Sequence, residues 1–216
     1  MNVEEFLKQL NKLPEEGRGS FSTGVLDLTK LAAAEAVPAM INDANFAVKI
    51  NAIKAIRKYQ LDLYEKELIQ SLLDDAFEVK VAAIKTLASF GNIKHYPLIK
   101  TFYLEQPQAR PLLIDAFINY SDTYEVYEFI LGELTEEDEK IREAVVNWFT
   151  KAFGHHILLP WIVKAYHNAP FPVQRAFERH FADQLPALFQ DERYGYRFKV
   201  AYLTAGGKKI HEPDTH

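Results

Sequence analysis

The chain has 216 residues, enough for one ordinary domain or one elongated array, and with 48% apolar residues it can bury a sizeable core. Its 25 basic and 30 acidic side chains leave a formal charge of −5, which argues against broad nucleic-acid binding, because that needs a basic face. The absence of cysteine excludes disulfides and thiolate chemistry. The start, MNVEEFLKQL, has neither the basic opening nor the apolar core of a signal peptide, and no run approaches the roughly 20 apolar residues of a membrane span, so a cytoplasmic location is the expectation.

Val3, Phe6, Leu7 and Leu10 predict a first amphipathic helix, with Asn2 and Glu5 at capping-box spacing. Pro14 stops it, and EEGRGSFSTG (15–24) reads as a loop. Residues 26–36 read as helical. Pro38, Pro97 and Pro160 are expected at the starts of helices, where the missing N–H costs nothing. In LIQSLLDDAFEVKVAAIKTLASFGN (68–92), Leu68, Ile69, Leu72 and Leu73 form one helical stripe. Asp74-Asp75 ends that stripe and can cap the next helix. Val79, Ala82, Ala83 and Leu87 line the second helix, with Val81, Ile84 and Ala88 widening it, and Gly91 sits where a left-handed C-terminal cap favours glycine.

The same unit recurs. Val79 corresponds to Val48, Ala109, Ile141 and Val173, at steps of 31, 30, 32 and 32 by subtraction. Ala83 corresponds to Ala52, Leu113, Val145 and Phe177, and Leu87 to Ile56, Phe117, Phe149 and Phe181. In the first helix, Leu68 corresponds to Val37, Leu98, Phe129 and Trp161. A fixed period of this length marks a solenoid of units that cannot bury their faces alone.

Residues 36–56 and 72–92, with an apolar first helix, an acidic turn and then Val-Lys-x-x-Ala-Ala-like letters, resemble HEAT repeats, closest to the short phycobilisome-lyase-type repeats of bacteria. Residues 98–119, 129–150 and 161–182 match in spacing more than in letters. Pro111 intrudes, and the bulky Leu113, Val145 and Phe177 replace small residues. The resemblance implies an all-α fold: a solenoid of about five helical hairpins over residues 37–185, an N-terminal helical cap over 1–36, and a capping segment and tail over 186–216.

FINYSDTYEVYEF (117–129) is dense in aromatics, with Tyr120, Tyr124 and Tyr127 at helical spacing; packing between units and an exposed contact patch are the two readings. TEEDE (135–139) reads as a solvated helix cap. Residues 193–207 carry both a strand alternation (Tyr194, Tyr196, Phe198, Val200, Tyr202) and a helical stripe (Tyr194, Phe198, Ala201, Tyr202), with helix preferred because a lone strand would lack a partner. HEPDTH reads as a loose tail.

No GxSxG elbow, phosphate loop, GxGxxG or HExxH occurs. A zinc site needs three or four converging ligands; His155 and His156 are adjacent in a turn after Gly154, and His167 and His180 lie apart in sequence, so neither a metal nor a cofactor is expected. The register sharpens one row. Lys85 corresponds to Lys54, Asp115, Asn147 and Arg179, and Ser89 to Lys58, Asn119, Lys151 and Asp183. In HEAT-like arrays second helices line the concave side. The resemblance therefore implies a groove with Lys54, Lys58, Lys85, Asp115, Asn147, Lys151 and Arg179, flanked by Trp148 and His180, able to hold an acidic segment of a partner protein. A second row, Lys49, Lys80, Arg110, Arg142 and Gln174, is implied to join an acid–base ladder between repeats. The expected function is a non-catalytic scaffold, with a small inhibitor of the immunity type as its specific form. The resemblance also admits bilin handling and, through Trp148, Trp161, Asp115 and Arg179, a DNA glycosylase.

Overall fold

The computed structural model describes residues 2–120 and 123–190, together with 192, 195, 196 and 199. The stretch 193–207, read above as helix or strand, lies almost wholly outside these residues, as does the tail. The described residues are all-helical, with α-helices and 3-10 turns and no strand among them. No described helix is long and apolar enough to cross a membrane. The chain divides into two compact units, one ending at Ala109 and one beginning at Arg110, inside the third expected hairpin.

The first unit opens with α1 (Val3–Lys12), whose N-cap Asn2 accepts the Glu5 N–H at 2.8 Å. The expected loop at 15–24 is instead α2 (Glu15–Ser22). Its two glycines suggested a loop, but Gly19 is there for close approach: a Cβ on it would lie 2.9 Å from the Ala47 Cβ. Next come α3 (Lys30–Ile41) and α4 (Phe46–Tyr59). Asn51 of α4, 5% exposed, ties the two layers by donating to Gly19 O (3.0 Å) and Ser22 Oγ (2.8 Å).

Pro38 lies within α3, not at a helix start, because the N-cap is Thr29. Proline cannot donate to the carbonyl four residues back. That carbonyl, Ala34 O, accepts the Tyr64 hydroxyl at 2.6 Å instead. The unit continues with α5 (Glu65–Gln70), α6 (Phe77–Ser89) and α7 (Tyr96–Glu105). Asp74 Oδ1 accepts the Ala76 N–H at the start of α6, and Gly91 has φ 65°, the left-handed conformation expected of it.

The second unit begins irregularly. Where a regular second helix was expected, the chain makes one α turn, α8 (Arg110–Leu113), then a 3-10 segment over Ile114–Tyr120. Pro111 supplies the local reason, since a proline N cannot close an intrahelical bond. Then follow α9 (Tyr124–Gly132), α10 (Glu139–Phe153), α11 (Leu159–Asn168), α12 (Phe171–Phe181) and α13 (Leu185–Phe189). Its core is aromatic: Phe149 meets Phe177 at 5.6 Å and Phe181 at 5.8 Å between centroids, fixing α10 against α12. Tyr120 and Tyr127 are buried here, while Tyr124 is half-buried, 6.4 Å from Trp161 and under Lys164 Nζ at 4.1 Å.

The Val79, Ala83 and Leu87 register series are buried throughout. Val48, Val79 and Ala109 are 0% exposed, Ile141 3% and Val173 9%, and the Ala83 and Leu87 series are 0% throughout. The first-helix series is displaced in its later members. Leu98, Phe129 and Trp161 are half-buried, and the fully buried residues are their neighbours Ile99, Ile130 and Ile162.

Candidate functional site

Three cations near helix starts each meet an acidic turn further along the chain. Arg18 pairs with Asp43, Lys49 with Asp74 at 2.5 Å, and Arg110 with Glu133 and, at 3.1 Å, with Glu136. Arg18 lies one period of 31 before Lys49, so the series of cation–acid contacts begins in α2, one period earlier than the sequence reading placed it. Burial would raise the Asp74 carboxyl. The hydrogen bonds from Lys49 and the Ala76 N–H, with the charges of Lys49 and Lys80, outweigh that and hold it below its ordinary value. The later members differ. Arg142 donates to the carbonyls of Glu136 (2.6 Å) and Glu137 (2.7 Å), and Gln174 to those of Tyr166 (3.1 Å) and His167 (3.4 Å). They close turns through main-chain oxygen, not through carboxylates.

The predicted groove residues separate into two sets, one in each unit. In the first unit Lys54 is exposed on α4 and Lys85 half-buried on α6. Lys58 Nζ reaches back to Leu26 O, which also accepts the Tyr59 hydroxyl at 2.7 Å. Lys58 therefore closes a turn.

In the second unit the row holds Asp115, Asn147, Lys151 and Arg179, all exposed. Asp115 and Lys151 pair at 2.7 Å with side chains 61% and 54% exposed, a surface contact of small energetic weight. Trp148 departs from the expectation. It is 0% exposed, wedged at 5.1 Å from Tyr127 and 5.0 Å from Phe149, and cannot flank a groove or offer its face to a base. The register held the reason: Ala55, Thr86 and Ala116 occupy the same place and are all buried.

Asn147 and His180 do come together. They line one cleft of about 460 Å³ with Glu139, Arg142, Glu143 and Val146, between α10 and α12. His180 is half-buried. Its pKa is lowered, first by burial and then by the charges of Arg179 and Arg142, which favours the neutral imidazole. Asn147 can donate and accept at the same rim. Sequence reasoning missed Glu139, Arg142 and Glu143. Glu139 and Arg142 had been given to the helix cap and the ladder, and only the pairing of α10 with α12 brings all three to His180.

The class defined so far is an all-helical protein with a polar cleft of mixed charge on its second unit. A scan against protein-family models gave no match, and a search of curated proteins gave none either.

Proposed function

We propose that each unit is a short stack of HEAT-like hairpins and that the chain is a non-catalytic binding protein. It holds a segment of a partner protein against α10 and α12. One observation carries this reading: Asn147, which shares an exposed register row with Lys151 and Arg179, lines the cleft together with His180. The repeated cation–acid contacts and the buried second-helix register support the stack, because such units bury their faces only against neighbours.

The sign of the face favours protein over nucleic acid. Lys151, Arg179 and Arg142 stand against Asp115, Glu139 and Glu143, whereas a phosphate backbone calls for a continuous basic stripe. A mixed face gives orientation and specificity to a polypeptide carrying complementary charges.

The test is Lys151→Glu combined with Arg179→Glu. Both side chains are exposed, so the fold is expected to stand. The intact chain is expected to co-purify with one stoichiometric partner, and titration calorimetry with that partner to show roughly tenfold or greater weakening in the double variant. Equal affinity in the folded variant would overturn the reading.

A further inference from the structure

The first unit holds a second cleft, of about 300 Å³, that the repeat ladder does not explain. It is lined by Ile41 and Asn42 at the end of α3, Lys49 of α4, Glu67 and Gln70 of α5, and the Ser71–Asp74 turn. Three of its groups are charged, and two of those neutralise each other: Lys49 Nζ stands 2.5 Å from Asp74 Oδ2. Arg18 and Asp43 make the same contact one hairpin earlier, so this pair belongs to the packing.

Glu67 does not belong to it. Its Oε2 is shut off from solvent and accepts no hydrogen bond, although a buried carboxylate oxygen is costly to leave unmatched. The nearby Ser71 hydroxyl gives its proton to the Glu67 main-chain carbonyl, at 2.8 Å. The register equivalents of Glu67 in this unit are Ala36 and Pro97, so the hairpin is built without a carboxylate at this place. With one cation and two carboxylates, the lining carries a charge of −1.

The remaining groups suit a cation on an apolar stem. Asn42 donates its amide hydrogen to Pro38 O at 3.1 Å, which leaves its own oxygen to accept. Leu73, 75% exposed, stands at the mouth and Ile41 on the wall, where an aliphatic chain can lie with its charged head inward. A guanidinium has the planar fork of donors that a carboxylate and an amide oxygen can share, which an ammonium lacks.

We propose that the Glu67–Asp74 cleft is a receptor for an arginine side chain presented by a protein segment. The reading of the chain as protein-binding supplies only the source of that arginine, because the cleft lies in the other unit and is built largely from first-helix and turn residues.

The experiment is an amide NMR titration of the full chain with Nα-acetyl-arginine methylamide. Nα-acetyl-norleucine methylamide serves as the uncharged control. Expected are saturable shifts confined to residues 41–42, 49 and 67–76, with a dissociation constant on the order of millimolar, as befits a single side chain. Glu67→Gln weakens binding roughly fivefold or more, and norleucine gives no saturable shift. Glu67→Ala, which copies the residue of the preceding hairpin, melts at or above the temperature of the parent chain. Absence of saturation with arginine, equal binding by Glu67→Gln, or equal shifts with norleucine would overturn the proposal. A marked fall in the melting temperature of Glu67→Ala would also overturn it, by making the carboxylate structural. The probe needs no partner protein, so failure here and failure of the partner-binding test can be told apart.

Discussion

Tyr64→Phe removes one oxygen and tests how α3 carries a proline in its interior. Ala34 O, deprived of its usual intrahelical donor by Pro38, accepts the Tyr64 hydroxyl at 2.6 Å. Tyr64 is 9% exposed and Ala34 is half-buried, so water reaches the orphaned carbonyl only in part. Leaving a buried acceptor unmatched costs about 1–3 kcal/mol, and partial access places this case near the lower end, about 1–2 kcal/mol. At this chain length the melting temperature falls by about 2–4 °C for each kcal/mol. The decisive assay is a double-mutant cycle in urea with Pro38→Ala, which restores a donor to Ala34 O. In that background Tyr64→Phe is expected to cost less than about 0.5 kcal/mol. The same cost in both backgrounds would refute the link between the proline and the hydroxyl.

Other outcomes follow from the same contacts. Arg110→Ala removes the guanidinium paired with Glu133, 7% exposed, and is expected to destabilise by about 3 kcal/mol in urea, with Glu133→Gln in the same chain recovering part of the loss. Trp148→Ala empties the space between Tyr127 and Phe149 and is expected to cost about 3–5 kcal/mol in the same assay. Asp74, held below its ordinary value when folded, contributes stability above the unfolded carboxyl pKa and loses it as pH falls through the folded one; the gap between parent and Asp74→Asn is therefore expected to close on acidification below about pH 4. His180 runs the same way in a higher window: its folded pKa is lowered, so stability falls as pH drops below about 6.5 and levels off beneath the folded value. Arg179→Glu is expected to raise that pKa in an NMR titration, and no movement would contradict the assigned cause.

The buried register of the second helices was legible because a helix touching several neighbours must keep a wide apolar face at a fixed period. Val48, Val79, Ala109, Ile141 and Val173 show it plainly. What the letters hid were cases where tertiary contact overrides local preference. Gly17 and Gly19 looked like a loop and are a helix, because Gly19 lets α2 approach Ala47. Pro38 looked like a helix start and lies inside one, because a hydroxyl thirty residues' distance away in unit one replaces the lost bond, Tyr64 to Ala34 O. At the site, Asn147 and His180 were legible as neighbours by register, whereas Trp148 was misread outward although small residues at its equivalents already marked an inward position. Glu67 gave no signal at all, since only the fold reveals that its Oε2 is buried without a hydrogen bond.

The measurement closest to the central claim is site-specific photocrosslinking in native extract. A crosslinking amino acid at position 147, on the rim of the α10–α12 cleft, is compared with one at position 128, exposed on α9. One protein captured through position 147 and absent at 128, and lost again when Lys151→Glu and Arg179→Glu are added, is the predicted result. No capture at 147, or the same capture from both positions, would contradict it.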